Sequence, residues 1–294
     1  MKVQALAHFI CPLDGAPLKR TESGVCCGTG HNFDRAREGY INLLPVQHKA
    51  SRDPGDDQAM IAARRRTLDD GLFTPLADAV FETVRAYARV RAGERPLRLV
   101  DAGCGEGYYL AHLHHRAQHC DDAVSLELAG YDISKWAVRA AARRNQAIAW
   151  VVASNRQPPV PPASIDLVLS LFGFPHWTSF EAILVPGGRV LTVDAGPRHL
   201  LELRKVIYPQ LTPSDAPLPS EALERGWRVL SERCIEFTVP QSTPDQSQAL
   251  IAMTPHAHRI SANGRAALVA LHSLDVTMSM VMRELVVPER ESAG

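Results

Sequence analysis

Two short stretches carry residues whose types and spacing can do chemistry. The first is LVDAGCGEGYYL, residues 99–110. An apolar run ends at Asp101, and Gly103, Gly105 and Gly107 fill the turn into a helical pattern, where missing β-carbons let the backbone pass close to a ligand. Asp132 closes the next apolar run 25 residues after Gly107, where a carboxylate can accept both hydroxyls of a ribose. A dinucleotide would set its pyrophosphate against the loop amides, whereas S-adenosylmethionine carries no phosphate and lays its amino-acid end beside the loop. An acid at the strand end, with a third glycine two residues after the second, fits the sulfonium cofactor better than a nicotinamide or flavin. It also fits better than a glycine turn without a ligand.

The second stretch is CPLDGAPLKRTESGVCCGTGHNFD, residues 11–34. Cys-Pro-Leu and Cys-Gly-Thr-Gly-His have the cadence of the two knuckles of a zinc ribbon, yet Asp14 stands where a second cysteine would complete Cys-x-x-Cys. Residues 1–45 are too few to fold on an apolar core without a staple, and they read as a small N-terminal module.

The elements that must hold these stretches follow from periodicity. Residues 46–95 read as a helical connection: a polar segment, Gln47 to Asp57, and then two helices. The second helix, about Phe73 to Ala92, repeats apolar residues at Leu76, Val80, Val84 and Tyr87. From residue 96 onward strands alternate with helices. Strands are expected at 98–102, 128–133, 148–153, 165–172 and 188–195, and helices start near Gly107, Ser134, Thr178 and Pro197, which implies a parallel sheet with right-handed crossovers. After a Pro-rich loop, strands at 228–239 and 274–285 flank a helix at 246–253. The fold class is therefore α/β, a Rossmann-like, mostly parallel sheet of seven strands, with the small ribbon-like module in front.

Composition bounds the function classes. The chain has 294 residues and 46% apolar content, enough for one large α/β domain with an appendage. No apolar run approaches the roughly 18 residues of a membrane span, so no membrane partner is expected and the cytoplasm is the expected location. The cysteines outside the first segment follow no framework spacing, which suits a reducing compartment. Lys plus Arg equals Asp plus Glu at 32 each, so bulk charge gives no sign of a nucleic-acid partner. Residues 1–52, however, carry seven Lys or Arg against four acids, and the triplet Arg64, Arg65, Arg66 follows.

Several longer segments carry a resemblance: GHNFDRAREGYINLLPVQHKASRDPGD, RRRTLDDGLFTPL, VDAGCGEGYY, YDISKWAVRAAARR, VPGGRV, GPRHLLELRKVIY and MTPHAHR. In this order, over nearly the whole chain, they resemble the RlmA-type guanine-N1 methyltransferases of 23S ribosomal RNA. The resemblance implies a zinc ribbon that helps engage an RNA hairpin, followed by a class I S-adenosylmethionine domain. RNA contact is then expected in the N-terminal module and at Arg64 to Arg66, while a homodimer is left open. By register with the family, Cys11, Asp14, Cys27 and His31 are the zinc ligands, and Phe73, Tyr109, Leu110 and His199 are cofactor contacts. One ligand thiolate has become a carboxylate. Zinc is therefore either held more weakly, through Cys11, Cys27, His31 and one of Asp14 or Cys26, or lost, with the ribbon packed against the main domain.

The chain also departs from the pattern. Phe73 replaces the usual tyrosine, keeping an aromatic wall without its hydroxyl. Ser154 and Asn155 stand at the end of the third strand, where many methyltransferases use an acid for the adenine amino group. Phe172, Gly173, Phe174 and Pro175 replace an aromatic, a small residue, proline and cysteine beside the acceptor base. His176 and Asp194 are acid–base candidates by position only, and structural roles suit them better. The expected activity is methylation of guanine N1 in 23S ribosomal RNA. The alternatives are a small-molecule methyltransferase on the same scaffold, favoured by the altered loop, or an RNA-binding homologue without catalysis.

Overall fold

The computed structural model describes residues 1–45, 54–91, 93, 95–211 and 215–288. Most of the expected polar connection, residues 47–53, therefore lies outside the described residues, as does the start of the Pro-rich loop. The chain opens with β1 (Lys2–Ala5), then a ribbon of β2 (Lys19–Arg20), β3 (Gly24–Cys26) and β4 (Asn32–Asp34), then β5 (Ile41–Asn42). Helices α1 (Gln58–Asp69) and α2 (Thr74–Val90) lead into the alternating part. That part comprises β6 (Leu97–Ala102), α3 (Tyr108–Gln118), β7 (Ser125–Asp132), α4 (Lys135–Arg144), β8 (Ala149–Val152), β9 (Ile165–Leu171), α5 (Trp177–Ile183) and β10 (Leu184–Ala195). Helices α6 (Leu201–Ile207) and α7 (Ser220–Glu224), strand β11 (Arg228–Ser242), helices α8 (Pro244–Ala252) and α9 (Ala262–Val269), and strand β12 (Leu274–Val286) follow.

The central strands are mostly apolar and almost wholly buried, as in a sheet covered on both faces; all seven residues of β9 are buried. The large sheet runs β11-β12-β10-β9-β6-β7-β8-β5, with β1 on β7, and β6 to β10 pair in parallel. Strands β11 and β12 then close the edge in antiparallel. The expected count of seven is corrected to nine among the described residues.

The two extra strands come from the first 45 residues, for a local reason. Short β8 covers only Ala129–Asp132 of β7, which would leave the backbone groups of Ser125 to Leu128 open. Strand β1 fills that half, pairing Lys2 to Ala5 with Ser125 to Leu128, and β5 adds Ile41 and Asn42 to the outer edge of β8. The ribbon thus leaves the large sheet at one point and returns to it at another. Its Phe9 and Val25 pack in the same apolar layer as Val100, Tyr131 and Val151. The opposite layer holds Leu76, Val80, Val84 and Tyr87 of α2, the stripe its periodicity implied, packed with Leu99, Leu110 and Leu128. No helix among the described residues is long and apolar enough to cross a membrane.

Candidate functional site

At the carboxyl end of β6 the chain turns through Gly103, Gly105 and Gly107, all in left-handed conformations. The Gly103 and Cys104 amides donate to the Tyr131 carbonyl at 2.8 and 3.0 Å, which ties the turn to the end of β7. At Gly107 a β-carbon would come within 2.7 Å of the Trp150 ring and 2.8 Å of Ala141, so the helix after the loop can approach the sheet only with glycine there. Asp132 fastens the loop from the next strand. Its carboxylate accepts from the Gly105 amide at 3.0 Å and the Ser134 amide at 2.8 Å.

Asp101 is the second carboxylate at the loop and is chemically the less settled of the two. It is 1% exposed, and its Oδ1 has no hydrogen-bond partner in the protein. Burial, and then the neighbouring Asp132 charge, push its carboxyl up to about 8. A buried carboxyl with an unpartnered oxygen suits a ligand cation such as the ammonium of an amino acid, whose charge would favour its ionised form. It also has a stability consequence. Because the folded pKa lies above the unfolded one, stability falls as pH rises from the ordinary carboxylate range to about 8 and then levels off. We expect Asp101→Asn to melt above the parent protein at alkaline pH, with the gap closing towards acid, and to bind S-adenosylhomocysteine more weakly. Parallel melting curves and calorimetry check both, and a pH-independent gap would contradict the assignment.

The loop is roofed by residues just before and within α1. Gly55 has φ +85° and lies so close to Ile133 and Ser134 that a β-carbon would come within 2.9 Å of the serine. The Asp56 carbonyl accepts from Ser134 Oγ at 2.7 Å, and Asp57 caps α1 through the Met60 amide. Arg64 of α1 reaches back to Asp56 at 2.5 Å. A second brace runs through Arg144 of α4, which holds Glu106 of the loop at 2.5 Å and Asp69 of α1 at 2.7 Å. The arginine triplet therefore divides: Arg64 lies at the loop, Arg65 pairs with Asp69 along the helix, and Arg66 is exposed.

Beside the loop stands an aromatic wall. Phe73 meets Phe172 edge-on at 6.2 Å, and Phe172 meets His199 at 6.4 Å. Phe172 is the residue after β9 and takes φ +55°, a conformation that L side chains adopt at a cost. Burial, and then the charges of His256 and Arg204, lower the His199 pKa to about 4, and its Nδ1 accepts from the Ser279 amide. The ring is thus neutral at physiological pH. Two residues on, Phe174 is 91% exposed, and its carbonyl accepts from Asn155 Nδ2 at 2.8 Å. Ser154 accepts from the Arg156 amide. His176 pairs with Ser179 at the start of α5, and Asp194 faces Arg283 at 3.5 Å, structural partners in both cases. Tyr109 lies against the main core and Leu110 is fully buried in it.

In the ribbon, one ligand atom each from Cys11, Asp14, Cys27 and His31 lie within 4.8 Å of one another. His31 Nδ1 is 3.4 Å from both sulfurs and 3.1 Å from Asp14 Oδ2, and Cys27 Sγ is 3.5 Å from the same oxygen. Tetrahedral zinc with bonds of about 2.0–2.3 Å needs ligand separations of roughly 3.3–3.8 Å, close to most of these distances, so the donor set is compatible with zinc. Cys26 is not in the cluster; it lies in β3, paired with Lys19 and Asn32. Burial raises the Cys27 thiol, but hydrogen bonds from Thr29 and His31 outweigh it and bring the pKa to about 7. The Thr29 hydroxyl and Ala16 amide hold Asp14 well below the usual carboxylate range.

Comparison with known proteins joins the two regions. Residues 9–52 match the N-terminal family described as RlmA, N-terminal, and residues 100–195 match a methyltransferase domain. A 23S rRNA (guanine(748)-N(1))-methyltransferase of Streptomyces fradiae is 35% identical over 204 residues, covering 69% of each chain. A relative from Micromonospora griseorubida, whose name places it in the same enzyme class, is 31% identical over 301 residues, 96% of this chain and 98% of that one. The chain belongs to the RlmA-type 23S rRNA guanine-N1 methyltransferases.

In this RlmA-type chain the glycine loop belongs to the large sheet, whereas residues 11–34 form a separate three-stranded sheet, β2-β3-β4. The loop leaves the end of β6, and the Cys11, Asp14, Cys27 and His31 cluster falls in the chain between β1 and β5, both strands of the large sheet. Sequence reasoning missed Gly55, Asp56 and Arg64 as parts of the loop's surroundings. The SRDPGD segment held the signal, because a glycine between proline and two acids marks a turn whose polar groups must meet something.

Proposed function

We propose that this chain transfers the methyl group of S-adenosylmethionine to N1 of a guanine in 23S ribosomal RNA, in the cytoplasm, with zinc held by Cys11, Asp14, Cys27 and His31. The identity with the Streptomyces fradiae enzyme carries the reading. The loop supports it, on the reading that Asp132 takes the ribose, Asp101 the ammonium, and Phe73, Phe172 and His199 form a cofactor wall, with Ser154 beyond. Transfer is an in-line displacement in which the N1–C bond forms as the S–C bond breaks, leaving S-adenosylhomocysteine and releasing the N1 proton. The protein's part is mainly alignment. Guanine N1 is hidden in a base pair, so the base must be unpaired or extruded, and an extruded base needs a surface to lie on. Phe174, exposed at the end of β9 and anchored through its backbone to Asn155, offers that surface. Exposed Lys19, Arg20, Arg35 and Arg37 of the ribbon supply cations for RNA phosphates.

Labelled methyl transfer to 23S ribosomal RNA lacking the modification, followed by nucleoside analysis, tests the reading. Labelled 1-methylguanosine is the expected product, and label appearing only in a metabolite extract would overturn it. In the same assay Phe174→Ala should lower kcat/KM about 10- to 100-fold, since a base–aromatic stack is worth about 1–3 kcal/mol. Cofactor affinity should not change.

A further inference from the structure

Arg64 forms part of the roof over the loop. Its guanidinium Nη1 stands 3.5 Å from where a β-carbon on Gly105 would sit, which puts a cation directly over the loop's middle glycine. Arg64 is a quarter exposed, and its contact with Asp56 fixes it in this position. The other groups at the loop are mostly acids. Asp101, Asp132 and Glu106 carry carboxyl groups, and the neighbouring cation Arg144 is taken up by Glu106 and Asp69. Arg64 faces a single carboxylate, and its planar fork offers five donors.

S-adenosylmethionine carries two positive groups, the sulfonium and the ammonium, and one negative group, the α-carboxylate. Acids around the loop suit the first two and repel the third. With the ribose at Asp132 on β7 and the adenine beyond it towards β8, the amino-acid end lies on the glycine-loop side, under α1. We propose that Arg64 binds the α-carboxylate of the cofactor's amino-acid end, with Asp56 as the residue that aims it. The inference rests on the cofactor reading above and adds the group that tells S-adenosylmethionine from the same molecule without its carboxylate. Two arginines next to Arg64 cannot substitute, because one is paired along the helix and the other is turned outward.

Calorimetry with S-adenosylmethionine and with decarboxylated S-adenosylmethionine tests it on the full chain. The parent protein should prefer the carboxylated form by about 10- to 100-fold, the range for one charge-assisted contact. Arg64→Gln should weaken S-adenosylmethionine by that factor and leave the decarboxylated form unchanged, which also shows that the variant is folded. Arg64→Lys should recover part of the preference, because a point charge replaces a fork. Asp56→Asn, which keeps an acceptor oxygen but loses the charge that holds Arg64, should lower the preference by less than Arg64→Gln does, and an unchanged preference would remove the aiming role of Asp56. Equal weakening of both ligands by Arg64→Gln, or no weakening of either, overturns the proposal. A parent protein that binds neither ligand would instead overturn the cofactor reading itself.

Discussion

Replacing Asp132 with alanine should weaken S-adenosylhomocysteine binding by at least 10- to 100-fold. Loss of a charged acceptor for a ribose accounts for about 1.5–3 kcal/mol by itself. The structure adds a second contribution, because the same carboxylate accepts from the Gly105 and Ser134 amides and so shapes the loop before any ligand arrives. Alanine leaves both donors without that acceptor. Asp132→Asn, which retains one oxygen, should therefore lose less than alanine, and the difference between the two measures the loop-shaping part. Unchanged affinity in the alanine variant, measured by calorimetry, would mean that the ribose does not lie at the end of β7.

The second large effect concerns the ribbon. Protein purified with neither added metal nor chelator should carry about one equivalent of zinc, and Cys27→Ser should bring it close to none. Zinc accepts carboxylate oxygen but prefers sulfur and imidazole, so Asp14→Cys should raise the affinity further. Structural zinc binding is itself folding free energy. Metal loss should therefore lower the melting temperature, by about 2–4 °C per kcal/mol for a chain of this general size. The damage should also be local. Phe9 and Val25 are packed on the sheet and β1 and β5 are hydrogen-bonded into it, so proteolysis after chelation should cut within residues 12–31 and spare both flanks. Elemental analysis far below one equivalent, with residues 12–31 still protected, would show that packing alone holds the ribbon.

How much of this was legible in the sequence depended on how local the cause was. Strand β6, the glycine turn and the helix after it are specified by neighbours within a dozen residues, and they stand where periodicity put them. Strand β10 begins at Leu184 rather than 188 because Pro186, Gly187 and Gly188 form an irregular stretch that interrupts its pairing with β9. Strands β1 and β5 could not be read, since two to four residues carry no usable period and their partners lie more than a hundred residues away. The arginine triplet shows the same limit in electrostatic form. Composition reveals three adjacent cations, but only the packing of α1 decides that one of them turns towards the loop. Asn155 is a smaller example, its amide directed to the Phe174 carbonyl by loop geometry that no motif encodes.

The pairing of β1 with β7 sets an order of events during synthesis. Gln4 and Glu127 are hydrogen-bonded across a separation of 123 residues, so the first strand must wait until nearly half the chain has left the ribosome. At about 5–20 residues per second that wait lasts several seconds or more. The proposed zinc ligands, by contrast, all fall between residues 11 and 31, and only the flanking backbone of Ile10 and Pro12 later meets Pro159 and Gln157. The knuckles can therefore close on zinc while the strands on either side are still unpaired, leaving a metal-clamped loop with two free arms that the growing sheet later takes in.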